Sequence, residues 1–179
     1  MSPSYEHRFM ETGGRLDFIR SNYPADIVNS YTKLNIGASQ ADFWRLLVLN
    51  KFGGIYLDID AHLVWPLQLI IKPHYEELYV QTRKNHYTNY FIASKSNNPN
   101  IEKAIEIIIK NVSNGDHKSV YELTGPPVLN KALEGREVNH IFHRYVCLQG
   151  SFTNEYFQYI DKPDGKWTHS KPEDLLKKH

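Results

Sequence analysis

Two carboxylates, Asp58 and Asp60, close the short run Ile55-Tyr56-Leu57-Asp58-Ile59-Asp60. On an extended strand, side chains at i and i+2 leave the same face, with Cα atoms about 7 Å apart. No lysine or arginine lies between Gly53 and Lys72 to neutralise them. Like charges so placed repel, and a divalent cation resolves the conflict. Magnesium binds through one or two carboxylates and completes its shell with water and substrate phosphates. Manganese suits the same oxygen ligands. Two acids solvated at the end of an edge strand have the same spacing, so Asp-x-Asp alone leaves both readings open. Upstream, Asp42 and Arg45 would be neighbours on a helix. Taken alone, they read equally as a capping acid and a surface ion pair worth under about 1 kcal/mol.

The elements that must position these groups are legible around them. Ser39 to Phe52 reads as a helix, with Ser39 as N-cap and Asp42 three residues on, close to a capping box. Ala41, Trp44, Leu47, Val48 and Phe52 recur at helical spacing and predict its buried stripe. Gly53-Gly54 stops it. Ile55 to Asp60 then alternates as a strand, with Ile55, Leu57 and Ile59 facing one way and Tyr56, Asp58 and Asp60 the other. Acids at the end of an apolar strand fit the rule that α/β sites lie beyond the strand carboxyl ends.

Around this centre, residues 1–14 read as loop. Short helices are predicted over Leu16–Ile19 and Ile27–Tyr31, separated by Tyr23-Pro24. Leu78–Thr82 and Tyr90–Ser94 read as strands joined by a polar loop, Arg83 to Asn89. Asn98-Pro99 opens a second strong helix with apolar residues from Ile101 to Val112. Thr124-Gly125-Pro126-Pro127 is a turn into a short helix ending near Leu133, and Val138–Leu148 is β-rich. In the tail, Tyr156–Ile160 is apolar, Asp164-Gly165-Lys166 is polar, and Glu173–Lys178 predicts a short helix. Alternating helices and strands point to an α/β sandwich with a mixed sheet. Nothing divides residues 1–179 into more than one domain.

A net charge of +1 argues against duplex DNA or an acidic membrane as a dominant partner. Aromatic residues make up 13% of the chain, which suits sugar or base pockets but equally large packing residues. The single Cys147 fits a reducing compartment. There is no signal-peptide core and no apolar run of the roughly 18 residues a membrane span needs. The expectation is a soluble, cytoplasmic protein.

Together, Ser39-x-x-Asp42-x-x-Arg45, an apolar run, and Gly53-Gly54-x-Tyr56-x-Asp58-x-Asp60 form one pattern. It resembles the DXD-containing glycosyltransferases of family 32, which include α-mannosyltransferases and capsule or lipopolysaccharide glycosyltransferases. The glucosylating domains of large clostridial toxins share the block. The resemblance implies a GT-A nucleotide-sugar transferase fold and a hexosyltransferase that works with retention. It implies a manganese or magnesium cofactor, a UDP- or GDP-sugar donor and a glycan or lipid-linked acceptor. Polysaccharide biosynthesis is the implied setting, without nucleic acid, with room for a peripheral membrane or partner-protein association. Asp60 would ligate the metal directly, and Asp58 would lie near the metal and the donor ribose. Asp42 and Arg45 would bond the donor sugar, with Gly53, Gly54, Tyr56 and Asn89 of Asn89-Tyr90-Phe91-Ile92-Ala93-Ser94 also at the sugar site. His169, in His169-Ser170-Lys171-Pro172, is the expected third metal ligand, with His143 next. Thr124-Gly125-Pro126 is similar to a family turn on the acceptor side and reads equally as structural.

The family's apolar first strand has no counterpart in Met1 to Gly14, so the chain is expected to enter that fold about one β-α unit late. The alternative reading follows from this: a carbohydrate- or metal-binding module that needs a partner to complete the nucleotide site. A phosphohydrolase with Asp58 as nucleophile and Asp60 as acid/base is a third reading. Ala61-His62 follow the pair where that class has Gly or Val then Thr.

Overall fold

A computed structural model describes residues 4–82, 84–149 and 166–177. Three helices come first: α1 (Thr12–Asn22), α2 (Ala25–Lys33) and α3 (Gly37–Phe52). The break between α1 and α2 falls at Tyr23 and Pro24, as the proline predicts, whereas α1 starts at Thr12 inside the stretch expected to be loop. Then follow β1 (Gly54–Leu57), β2 (Ala61–Leu63) and a short α4 (Leu67–Ile70). β3 (Glu77–Gln81) and β4 (Tyr87–Ser94) form a hairpin, longer at β4 than its sequence suggests. α5 (Pro99–Asn114), α6 (Val120–Leu123) and α7 (Pro126–Ala132) precede β5 (His140–Phe142) and β6 (Cys147–Gln149).

The main sheet runs β1-β4-β3-β5. β1 and β3 each pair antiparallel with β4, and β5 lies parallel to β3, so the α/β reading with a mixed sheet holds. β2 and β6 form a separate antiparallel pair. Strand alternation divides the core. Tyr79 and Ile92 pack against the helices with Phe43, Leu47, Ile101 and Ile108. Leu78, Val80, Phe91 and Ala93 pack on the other face with Leu67, Ile70 and Val146.

α5 follows its sequence closely. The Asn98 side chain accepts from the backbone N–H groups of Asn100 and Ile101, and proline occupies the first turn. α3 does not. It begins at Gly37, and Ser39 lies inside the first turn, its hydroxyl donating to the carbonyl of Ile36 instead of capping. Of the expected stripe only Leu47 is fully buried, while Phe52 is 60% exposed against Phe18. The reason is that α3 is covered on several sides, by the sheet, α1, α2 and α5, so Asp42, Phe43, Arg45, Leu46 and Leu49 are buried too.

The acid-bearing segment also departs from expectation. β1 ends at Leu57, and Asp58 to Ala61 form a turn closed by the Ala61 N–H on the Asp58 carbonyl at 3.0 Å. Ile59 therefore does not continue the apolar face of Ile55 and Leu57. It is 83% exposed. The C-terminal residues make 3-10 turns at Trp167–His169 and Pro172–Asp174 and a bridge between Leu34 and Leu176 in place of the expected α-helix. Tyr156–Ile160, Asp164-Gly165, Arg83 and Lys178 lie outside the described residues. Among the described residues no helix is long and apolar enough to cross a membrane.

Candidate active site

α3 and β1 are consecutive, and the turn between them sets their register. Gly53 has φ +66° and its N–H bonds the Leu49 carbonyl at 2.8 Å. A Cβ there would lie 2.8 Å from the Ser96 amide nitrogen, so only glycine lets the helix end lie against that loop. This close turn lays β1 back along α3. The side chains of Asp42 and Arg45 then meet those of Tyr56 and Asp58.

Arg45 is the hub. Its Nη2 pairs with Asp42 Oδ1 at 2.9 Å, and its Nη1 donates to the Asn89 carbonyl at 2.6 Å and lies 3.5 Å from Asp58 Oδ1. Its guanidinium sits 4.3 Å from the centre of the Tyr56 ring. The Tyr56 hydroxyl donates to Asp58 Oδ1 at 2.7 Å. Asn89 Nδ2 donates to Asp42 Oδ1 at 2.9 Å, and Thr124 Oγ1 donates to Asp42 Oδ2 at 3.0 Å. A carboxylate offers about four acceptor positions. Asn89, Arg45 and Thr124 fill three of those on Asp42, leaving one. A cavity of about 10 Å³ lies against Asp42, Arg45, Asn89 and Thr124. That is about the room of one water or one hydroxyl oxygen.

Burial sets the electrostatics. It pushes the Asp42 carboxyl up to about 6, against the pull of Arg45 and the bonds from Thr124 and Asn89. It raises Asp58 as well, opposed by Arg45 and Tyr56 and reinforced by the neighbouring charge of Asp60. Burial raises the Tyr56 phenol far above its ordinary value, so the hydroxyl keeps its proton and donates. For Arg45 burial works against the charge, but Asp42, Tyr56 and Asp58 outweigh it and hold the guanidinium protonated. A buried acid and a half-buried one thus share one buried cation, and the fit of the network depends on Arg45.

Asp60 stands apart. It is partly exposed on the turn and has no hydrogen-bond or ion-pair partner among the described residues. Asp58 and Asp60 are two positions apart on that turn, beside a network that already carries the positive charge of Arg45. Such a donor set fits a hard cation held by one or two carboxylates plus phosphate oxygens and water, rather than an all-protein cage. Among the described residues no three His, Cys, Asp or Glu side chains gather as a metal-holding group. His169 is exposed on its 3-10 turn and His143 half-buried on another, and neither is drawn into a cluster with the acid pair.

The remaining expected site residues divide. Tyr56 and Asn89 belong to the network, Asn89 bracing Asp42 with its side chain and Arg45 with its carbonyl. Gly54 opens β1, roughly 13 Å from Asp58 at ~3.3 Å per residue, and Gly53 precedes it as the cap of α3. They shape the approach and do not line the network. Thr124, which the sequence offered only as part of an acceptor-side or structural turn, instead bonds Asp42 across 82 positions. Asn130 has a like role: its side chain accepts from the Tyr87 N–H and donates to the Tyr87 carbonyl, fixing α7 to the start of β4.

Residues 1–82 match a glycosyltransferase sugar-binding region containing a DXD motif. A toxin of Photorhabdus asymbiotica is 34% identical over 54% of this chain and 3% of its own length. A toxin of Yersinia ruckeri is 33% identical over 54% of this chain and 5% of its own. An uncharacterized glycosyltransferase of Acanthamoeba polyphaga mimivirus is 23% identical over 88% of this chain and 63% of its own. The solved PaToxG glycosyltransferase is 34% identical over 54% of this chain and 34% of that one, with a TM-score of 0.48. The chain therefore spans a small part of the two toxins and under two thirds of the viral relative. Its first 82 residues, which hold Asp42, Arg45, Tyr56, Asp58 and Asp60, are thus similar to a glycosyltransferase sugar-binding region containing a DXD motif.

Proposed function

We propose that the chain transfers a hexose, with retention, from a nucleotide-diphosphate sugar to a glycan or lipid-linked acceptor. The observation that carries this reading is the single open acceptor position on Asp42, inside a matched sugar-binding region and beside the acid pair. A donor-sugar hydroxyl takes that position and is held by a buried carboxylate. Arg45 keeps Asp42 charged and fixed, and Tyr56 and Asn89 keep Arg45 fixed. Asp60 holds a divalent cation with Asp58 beside it, and manganese or magnesium, when bound, offsets the charge gained by the departing diphosphate.

The bonding of the two acids supports retention without a protein nucleophile. Asp42 is bonded to three donors and Asp58 to Tyr56, so neither is set up as a free nucleophile. That arrangement suits front-face transfer, in which the acceptor oxygen bonds the anomeric carbon from the side the diphosphate leaves. The leaving phosphate takes the acceptor proton. The chain is incubated with manganese and a panel of UDP- and GDP-sugars while donor hydrolysis and calorimetric binding are followed. Binding of none of them by the folded protein overturns this reading.

One observation favours a second reading. β1, which leads to the acid pair, has a neighbour on one side only among the described residues. A donor pocket walled beyond β1 would then need another chain or segment, and this domain would be partner-dependent. Turnover of a donor by the isolated chain excludes that.

A further inference from the structure

Resting on the transferase reading above, we propose that Thr124 is a positioning residue that decides which acceptor position of Asp42 faces the donor sugar. Thr124 is 2% exposed and Asp42 8% exposed. The hydroxyl has two acceptors in reach, Asp42 Oδ2 at 3.0 Å and the Val120 carbonyl at 3.4 Å, and one proton. The shorter contact is charge-assisted and holds that proton. Oδ1 already takes Asn89 and Arg45, so Thr124 is what occupies Oδ2 and leaves a single position there.

The backbone is built to bring Thr124 in. It follows α6, whose Ser119 hydroxyl caps the Glu122 amide, and Gly125 comes next. A Cβ on Gly125 would lie 2.7 Å from the Tyr121 carbonyl, so a side chain there would push the turn away from α3. Asn111 Nδ2 bonds the Leu123 carbonyl at 2.9 Å and ties the same turn to α5. Without the Thr124 hydroxyl, the Asp42 carboxylate keeps its charge partner but gains freedom to rotate, and a bound sugar loses its fixed acceptor.

The test uses Thr124→Val, Thr124→Ser and Asp42→Asn, singly and as the Asp42→Asn/Thr124→Val pair. Thr124→Ala stands in if valine prevents folding. Donor hydrolysis gives kcat and KM for each folded variant. Thr124→Val is expected to lose about tenfold in kcat/KM, mostly in KM, the size of one bond to a charged group. Thr124→Ser restores wild-type values, and Thr124→Val costs nothing further in the Asp42→Asn background. The same loss in that background, or a serine variant as impaired as valine, overturns the proposal. If the wild-type chain turns over no donor, the transferase reading fails and the contact is still read by carbon NMR. Thr124→Val then raises the titration midpoint of the Asp42 carboxyl if the bond exists, and an unchanged midpoint overturns it.

Discussion

The guanidinium carbon of Arg45 lies 4.3 Å from the centre of the Tyr56 ring while the same group pairs with Asp42 at 2.9 Å. One side chain thus joins α3 to β1 at the point where the two halves of the candidate site meet. Replacing Arg45 with alanine leaves Asp42 as an unpaired buried charge. The expected cost is about 3–5 kcal/mol by urea denaturation, with loss of donor binding. Arg45→Lys keeps a charge but neither the guanidinium contact with the Tyr56 ring nor the fork, and should lose most donor binding at a smaller stability cost. A lysine variant with wild-type donor affinity would show that the fork geometry is irrelevant.

Asp60 predicts the opposite pattern. It is partly exposed and has no partner among the described residues, so Asp60→Asn should change the unfolding free energy measured in urea by no more than ~0.5 kcal/mol. Manganese-dependent donor binding, followed calorimetrically, should fall at least about tenfold. Manganese response equal to wild type would remove Asp60 from the metal site.

How much of this was written in the sequence varies with the range of the interaction. The helix–glycine–strand order around Asp42 and Asp58 is a matter of neighbours in the chain, and it was legible. The Pro24 break and the Asn98-Pro99 cap were legible for the same reason. The burial of α3 on several sides was not, because it depends on α5 and the sheet, which amphipathic spacing cannot report. The turn at Asp58 was missed because Ile59 continues the apolar alternation even though the chain has already left the sheet. The Thr124-Gly125-Pro126 turn was noticed, but the bond of Thr124 to Asp42 was not legible, since it comes from a distant element.

Gly53 is where local sequence and tertiary packing coincide. Its φ of +66° with ψ −163° is a conformation essentially confined to glycine, and a Cβ would meet backbone atoms of Ser94, Lys95 and Ser96. Gly53→Ala should cost on the order of 2–3 kcal/mol and weaken donor binding by shifting β1 against α3. Gly54, with φ +106° and open space around it, should lose less on substitution because strain acts there without a clash. Equal losses at the two positions would show that the packing against Ser96 contributes nothing.

Asp42 predicts the pH dependence. Its folded carboxyl is raised to about 6 by burial, against an ordinary 3.8 in the unfolded chain. A group whose folded value is raised binds more protons when folded. Its contribution to stability is therefore complete below the unfolded value and is lost as pH rises through about 6. Asp58 is shifted in the same direction and adds to the loss. The difference in unfolding free energy between wild type and Asp42→Asn should fall by about 2 kcal/mol from pH 4 to pH 7. Donor binding should run the other way, rising through about pH 6 as Asp42 ionises and becomes an acceptor only. Urea denaturation and donor calorimetry over the same pH series measure both. A wild-type stability that rises over that interval relative to Asp42→Asn would mean that Arg45, not burial, dominates the carboxyl.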